Sequence, residues 1–360
     1  MPERVRFGII GCGSAAVPVC AALAESSVAT IAQVYDRDLV LASDLAGRYG
    51  ADCAESLEAL LENPVVDAVY IAVPHASLAP IARLALMAGK AALVEKPMAL
   101  TLADADALIA LAASRGLALG VFYELRHHAA FVQARSLVRA GAIGEITAVR
   151  LQTLIDKPLS YWRAGYTGRS PNPWRGRRAE AGGGVVLMNT SHLLDLLWHL
   201  TGLSVVRVSA EAGTLAAPAD VEVEDTAAAI LRFENGAIGS LIAGAHLAGA
   251  RQGDECFDLY GAEGQLRLPD PYGADPLRVF LRRPWNDLPA GEWLTLPSPP
   301  VNVFAAAVDD FGRAAQAGQP APTSGHDARR TLATILALYE SAAESRAIPV
   351  LETAHASHQP

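Results

Sequence analysis

Up to residue 122 the chain alternates short apolar runs, rich in β-branched residues, with longer segments whose apolar positions recur at helical spacing. Strands are predicted at Val5–Ile10, 28–35, 66–73, 91–95 and 117–122. Helices are predicted from a glycine-rich turn to about Ser26, over 38–49, over 76–88, and from Thr101 to Gly116. Thr101 with Asp104 three residues on is a helix-start signature, and Gly116 is a stop. Strands with continuous apolar cores, separated by helices, describe a parallel sheet covered on both faces.

Beyond residue 123 the pattern changes. A helix over 129–140 leads through Gly141 and Gly144 into an alternating strand, 146–155. A loop-like segment, 156–181, is rich in Arg, Tyr, Trp, Gly and Pro, and a helix follows Gly184 to about Leu200. Strand-like runs then recur at 205–212, Thr226–Phe233, 238–246, 256–260, Leu277–Leu281 and Trp293–Leu296. The pairs Asn235-Gly236 and Glu263-Gly264 between them are hairpin turns, so this sheet should be mostly antiparallel. Two helices, 303–317 and 327–345, precede a polar tail. The expected fold class is α/β. A doubly wound parallel sheet occupies 1–122 and an α/β domain with an open, mostly antiparallel sheet occupies 123–352. Residues 353–360 form a tail, and the C-terminal helices are candidates to pack back on the first domain.

Length supports this division, since 360 residues exceed one ordinary core. A hydrophobic share of 51% rules out a disordered chain. The net charge of −9 argues against a duplex nucleic-acid partner. Cys12, Cys20, Cys53 and Cys256 form no paired metal-ligand spacing, which fits a reducing compartment. Gly8, Gly11, Gly13 and Pro18 interrupt the first apolar run, unlike a signal peptide. The longest apolar stretch, 65–94, carries Asp67, Arg83 and Lys90, so no membrane partner is expected and the location expected is cytoplasmic.

Two motifs carry chemistry. Gly11-Cys12-Gly13-Ser14-Ala15-Ala16 is a G-x-G-x-x-A between a strand and a helix. Its first glycine permits the tight turn, its second lets a pyrophosphate approach the backbone, and its small last residue lets helix and strand pack closely. Asp36 ends the next strand, where a carboxylate accepts hydrogen bonds from the ribose of NAD and repels the 2′-phosphate of NADP. Arg37 beside it works the other way. Glu95-Lys96-Pro97 ends the fourth strand, at the sheet edge where such folds bind ligands. Lys96 there reads either as a proton-transfer group or as a solvated lysine.

These pieces, with Arg126, the run from Gly141 to Ile146, and Gly182-Gly183-Gly184 followed by His192 and Asp195, resemble the glucose–fructose oxidoreductase/inositol dehydrogenase (Gfo/Idh/MocA) family. The resemblance implies a Rossmann domain and a cis Lys96–Pro97 bond. It implies that Lys96 and His192 are catalytic and face the nicotinamide. The preference for NAD over NADP rests on Asp36 itself, and cofactor contacts are expected from Gly11, Gly13, Ser14, Ala15, Ala16, Asp36, Arg37, Pro74, Glu95 and Lys96. Substrate contacts are expected from Arg126, Tyr161, Trp162, Arg163, Arg169, Trp174, Asn189 and His192. The family pattern is broken at Met188, where an Asp or Asn is common, and at Leu78, where a histidine is common.

His192, Asp195 and His199 share a helical face, a spacing that can hold a metal, but no further ligand cluster stands nearby and no metal is expected. The segment 157–178 interleaves Lys157, Arg163, Arg169, Arg175, Arg177 and Arg178 with Tyr161, Trp162, Tyr166 and Trp174. Such a loop suits sugar faces and anionic groups, or equally holds surface and subunit salt bridges. The expected activity is hydride transfer between NAD(H) and a sugar, sugar derivative or cyclic polyol. Alternatives are glycoside cleavage by transient oxidation, a non-catalytic dinucleotide-binding sensor, and reduction of an aromatic or tetrapyrrole carbonyl. Apolar residues on both faces of the strands between 205 and 246 predict a homo-oligomer, a dimer or tetramer.

Overall fold

The computed structural model describes residues 4–250, 256–271 and 275–351; the tail 353–360 lies outside them. The chain forms two compact units. The first comprises Met1–Glu124, Ser160–Gly182 and Asn302–Arg329; the second comprises Leu125–Leu159, Gly183–Val301 and Arg330–Pro360. The arginine- and aromatic-rich segment, assigned from sequence to the second domain, therefore joins the first unit from Ser160 to Gly182.

The first unit begins β1 (Val5–Ile10), α1 (Ala16–Glu25), β2 (Ala29–Tyr35), α2 (Leu39–Tyr49), β3 (Asp52–Cys53) and α3 (Leu57–Glu62). It continues β4 (Ala68–Ile71), α4 (His75–Met87), β5 (Ala91–Val94), α5 (Leu102–Arg115) and β6 (Leu119–Val121). The strands are all parallel in the order β3-β2-β1-β4-β5-β6. The order reverses between β1 and β4, so the turns after these strands open one crevice at the carboxyl edge. Local chemistry sets the helix ends. The Asp38 side chain accepts from the amides of Val40 and Leu41, and Thr101 from that of Asp104. Gly50 and Gly116 close their helices in the left-handed region. The two residues of β3 are both exposed, so no alternating pattern announces them. Phe7, Ile9, Leu23 and Leu45 are fully buried, each contributing roughly 1.5–3 kcal/mol. The helix Val303–Gln316 packs on this core through Phe311 on Phe7 and Phe304 on Phe122.

The second unit opens with α6 (Ala129–Arg139) and β7 (Ile146–Leu154). Then come β8 (Val205–Gly213), β9 (Thr226–Phe233), β10 (Ile238–Gly244), β11 (Cys256–Gly261), β12 (Gly264–Leu268), β13 (Leu277–Leu281), β14 (Trp293–Leu296) and β15 (Ile348–Pro349). The sheet runs β14-β13-β12-β11-β7-β10-β9-β8-β15, and every neighbouring pair is antiparallel except β7 with β10. Asn235-Gly236 turns β9 into β10 as the sequence predicts; β12 and β15 are additional strands. The helix read as regular from Gly184 onward begins instead with a π turn, Val186–Thr190, before the α-helix Ser191–Thr201. The Ser191 amide reaches the carbonyl of Val186, so one extra residue is accommodated in that turn.

Backbone packing explains the glycines before it. A Cβ on Gly183 would lie 2.1 Å from the Tyr339 hydroxyl, and one on Gly184 would lie 1.7 Å from the Glu224 carbonyl oxygen. The Glu224 carboxylate accepts from the amides of Gly184 (2.7 Å) and Val186 (3.0 Å) and from the Tyr339 hydroxyl (2.9 Å). Backbone cannot retreat as a flexible side chain can, so Gly184→Ala is expected to cost roughly 3 kcal/mol or more. Urea unfolding of the variant measures this, with an unchanged midpoint as the contrary result.

Candidate active site

In the first unit β1 runs directly into the glycine turn. Gly11 has φ +91°, and a Cβ there would lie 2.2 Å from the Ala72 carbonyl oxygen, so this position admits glycine alone. Gly13 is different. A Cβ on it would meet nothing nearer than Ser170 Cβ at 3.9 Å, so its missing side chain leaves space that no protein atom needs. Helix α1, with Ala15 as its N-cap, has no side-chain cap and no acid in its first turn, so its N-terminus carries no competing negative charge beside that turn. Asp36 is held by backbone on both oxygens, from the amides of Cys12 (2.7 Å) and Asp38 (2.8 Å). Each oxygen keeps a second lone pair for a ribose hydroxyl. Arg37, next to it, is exposed.

The segment Ser160–Gly182 straps this turn. Arg169 Nε donates to the Cys12 carbonyl (2.9 Å), its Nη1 pairs with Asp44 (2.6 Å), and the Ser14 and Thr167 hydroxyls bond each other. Arg169, followed by Arg48, holds the Asp44 carboxyl below its ordinary value. The remaining Arg169 nitrogen, Nη2, is buried without a hydrogen-bond partner among the described residues. An open glycine, uncapped helix amides and an unpartnered guanidinium nitrogen fit the pyrophosphate of a dinucleotide. Arg169, expected at the substrate, lies against the glycine turn. Tyr161 and Trp162, expected as walls for a sugar, are 7% and 1% exposed and pack inside the strap. Arg163 is exposed.

Lys96 follows β5, and its bond to Pro97 is cis. Glu95 beside it is clamped, one oxygen taking the Tyr70 hydroxyl (2.6 Å) and the other the Lys96 amide (3.2 Å). Burial pushes the Glu95 carboxyl above its ordinary value, against the pull of Lys96 and Tyr70. His75, which sequence reasoning missed, follows Pro74 at the start of α4. Its Nδ1 lies 2.7 Å from the Ala181 carbonyl and therefore carries the proton, leaving Nε2 as acceptor. Its ring meets Trp174 edge-on at 4.7 Å, and Arg175 stacks over Trp174 at 4.6 Å. Burial first, then the Lys96 charge, lowers the His75 pKa to about 3, so the ring stays neutral. A histidine next to a strand-ending proline was the available signal.

In the second unit Arg126 is 5% exposed and its guanidinium fork grips Asp195 at 2.7 and 2.6 Å. It thus supports the His192 helix from inside, and Asp195 is engaged by it. Met188 is buried, whereas Asn189 and His192, three residues apart, are half-buried. Asn189 Oδ1 accepts from Lys157 Nζ at 2.6 Å. Among the described residues no cluster of three His, Cys, Asp or Glu side chains could hold a metal ion. No described helix is long and apolar enough to cross a membrane.

Family models match both parts of the chain. Residues 5–123 match an oxidoreductase family with an NAD-binding Rossmann fold, and residues 131–267 match the GFO/IDH/MocA C-terminal domain. The chain belongs to the Gfo/Idh/MocA oxidoreductase family. This family member is 32% identical over 300 residues to a 1,5-anhydro-D-fructose reductase of Ensifer adhaerens, covering 82% of this chain and 83% of the relative. It is 33% identical over 343 residues to a dTDP-3,4-didehydro-2,6-dideoxy-alpha-D-glucose 3-reductase of Streptomyces violaceoruber, covering 92% of each. Among solved structures it resembles an aldose-aldose oxidoreductase from Caulobacter crescentus complexed with glycerol. There the TM-score is 0.83 and the identity 26%, with 96% of this chain and 100% of that one covered. The chain is therefore an oxidoreductase with an NAD-binding Rossmann fold.

Two expectations follow for this Gfo/Idh/MocA enzyme. Gly13→Ala, with room for its methyl in the protein itself, should unfold at the wild-type urea concentration yet bind NADH about tenfold or more weakly. Arg169→Ala should weaken NADH by roughly tenfold, the worth of a charge-assisted hydrogen bond. Fluorescence titration reads both, and full affinity in either would remove that group from the cofactor site. The second expectation concerns His75. Its folded pKa of about 3 lies below the unfolded 6.5, so below pH 6.5 the unfolded chain binds the extra proton. Stability is present above pH 6.5 and falls as pH drops toward 3, by about 2 kcal/mol at pH 5. His75→Asn keeps a donor for Ala181 and should lose that much less stability on acidification to pH 5 in urea titrations. Equal losses would refute the assignment.

Proposed function

We propose that this enzyme transfers hydride between the nicotinamide of NAD(H) and a CH–OH or C=O carbon of a sugar, sugar derivative or cyclic polyol. The observation that carries the reading is the first unit's carboxyl edge. There the open Gly13, uncapped α1 and backbone-anchored Asp36 share one sheet with Lys96, whose neighbour Glu95 is clamped by Tyr70. The dinucleotide, when bound, supplies the hydride donor or acceptor. The protein's part is binding, orientation and proton movement. In the oxidative direction Lys96 Nζ takes the hydroxyl proton; in the reductive direction it returns it. Two relatives named as reductases of keto sugars support the substrate class. Asp36 favours NAD over NADP, because a fixed carboxylate repels a 2′-phosphate.

The second unit's sheet leaves Ile230, Ile238 and Ile242 on its outer face, 53%, 45% and 44% exposed. A homo-oligomer, a dimer or tetramer, would cover this face.

Screening sugars, uronates and inositols, with their keto forms, for NADH production or consumption tests the reading. Net turnover supports it. Cleavage of a glycoside with no net NADH would mean transient oxidation, and dinucleotide binding with no turnover would mean a sensor. Lys96→Ala should retain NADH affinity and lose about 10²-fold in turnover. Tighter NADP than NAD binding would overturn the role given to Asp36, and a monomer mass by light scattering would overturn the oligomer.

A further inference from the structure

Every side chain of β4 is buried, and one of them, Tyr70, carries a hydroxyl. A buried hydroxyl needs a partner, and the register of the sheet supplies it. Tyr70 lies beside Leu93 and Ile71 beside Val94, so strand alternation brings Glu95, two positions past Leu93, onto the Tyr70 face. The Tyr70 hydroxyl donates to Glu95 Oε1 at 2.6 Å. Its ring meets Phe122 edge-on at 5.5 Å, and Phe122 meets Phe304 at 5.8 Å. Packing thus holds the hydroxyl where it is.

The Glu95 amide still donates along the sheet, to the Ile71 carbonyl at 2.9 Å. The next amide, that of Lys96, donates to Glu95 Oε2 at 3.2 Å. One carboxylate therefore joins a core hydroxyl to the peptide from which the Lys96 side chain leaves. Lys96 faces this carboxylate with its charge, while Glu124 and the Cys20 thiol act on the Tyr70 hydroxyl. Burial, then Glu95, keeps the Tyr70 proton well above its ordinary range, so Tyr70 remains the donor. Burial raises the Glu95 carboxyl, and Lys96 and Tyr70 pull against that rise.

We propose that Tyr70 is a positioning residue that fixes, through the Glu95 carboxylate, the peptide carrying Lys96. A donor on a carboxylate favours its charged form, so Tyr70 also sets how far pH can fall before Glu95 takes a proton. Above that point the Lys96 amide keeps a charged acceptor, and below it that acceptor is lost. The consequence for turnover rests on the reading of Lys96 as the proton-transfer group; the linkage itself does not.

The chain's lysines are Lys90, Lys96 and Lys157, so [15N]lysine labelling gives three backbone amide signals, and Lys96→Ala identifies one of them. In the NADH-loaded wild type this signal should titrate with a midpoint above 4.5, the ordinary glutamate value. Tyr70→Phe keeps the ring on Phe122 but removes one charge-assisted hydrogen bond. It should move the midpoint up by about one pH unit. Glu95→Gln should abolish the titration, with or without Tyr70→Phe. Turnover of 1,5-anhydro-D-fructose by NADH should fall roughly tenfold in Tyr70→Phe while NADH affinity stays the same. The acid limb of that turnover should follow the amide midpoint, which a merely structural tyrosine would not move. An unmoved midpoint in Tyr70→Phe, a titration that survives Glu95→Gln, or a moved midpoint with wild-type turnover would each overturn the proposal. A moved midpoint with no turnover in any variant, wild type included, would support the linkage and count against the catalytic reading alone.

Discussion

Glu224 is buried, and burial pushes its carboxyl above its ordinary value, yet its oxygens are occupied by the amides of Gly184 and Val186 and the Tyr339 hydroxyl. Removing any of these donors would strand a buried acceptor, which costs far more than a typical hydrogen bond contributes. The start of the His192 helix is therefore pinned. A second pin lies further along, where Arg126 forks onto Asp195, both almost wholly buried. The extra residue of the π turn sits between these fixed points and cannot slide out along the helix. Along this stretch Met188 is buried, while Asn189 and His192 are half-buried.

The first unit uses a different constraint, the close approach of backbone to backbone. Gly11 passes the Ala72 carbonyl so closely that no side chain fits, and this joins the ends of β1 and β4 where the strand order reverses. Asp36 then ties the turn to β2 through the Cys12 amide, and Arg169 ties it to the strap through the Cys12 carbonyl. One peptide neighbourhood thus links three stretches of chain. The strap contributes a cation beside the glycine turn, and Asp44 holds that cation in place.

Both units keep titratable groups away from water and assign each a fixed partner. Tyr70 bonds Glu95, His75 faces the Ala181 carbonyl, and Lys157 faces Asn189. A low local dielectric strengthens such bonds and makes their loss costly, so each holds its neighbour in one orientation. Positioning of this kind supports proton transfer without large rearrangement.

Much of the fold was legible because it rests on short-range rules. The caps at Asp38 and Thr101, the left-handed stop at Gly116 and the Asn235-Gly236 hairpin each need only a few adjacent residues. Apolar periodicity placed the main strands, and the dinucleotide turn with Asp36 was recognisable because its spacing reflects one strand–turn–helix unit. Partnerships across long separations were not legible. Arg169 reaches Cys12 across 157 positions, Arg126 reaches Asp195 across 69, and Lys157 reaches Asn189 across 32. All three cations were visible in the sequence, but their charge names no partner. The sequence by itself determined which segments become helix or strand and which turn can hold a dinucleotide, because burial periodicity and caps act locally. Only the tertiary structure decided that Arg126 grips Asp195, that Arg169 reaches the glycine turn and that Met188 is buried while Asn189 is half-buried. Those outcomes depend on which surfaces pack together and on one extra residue in a helical turn.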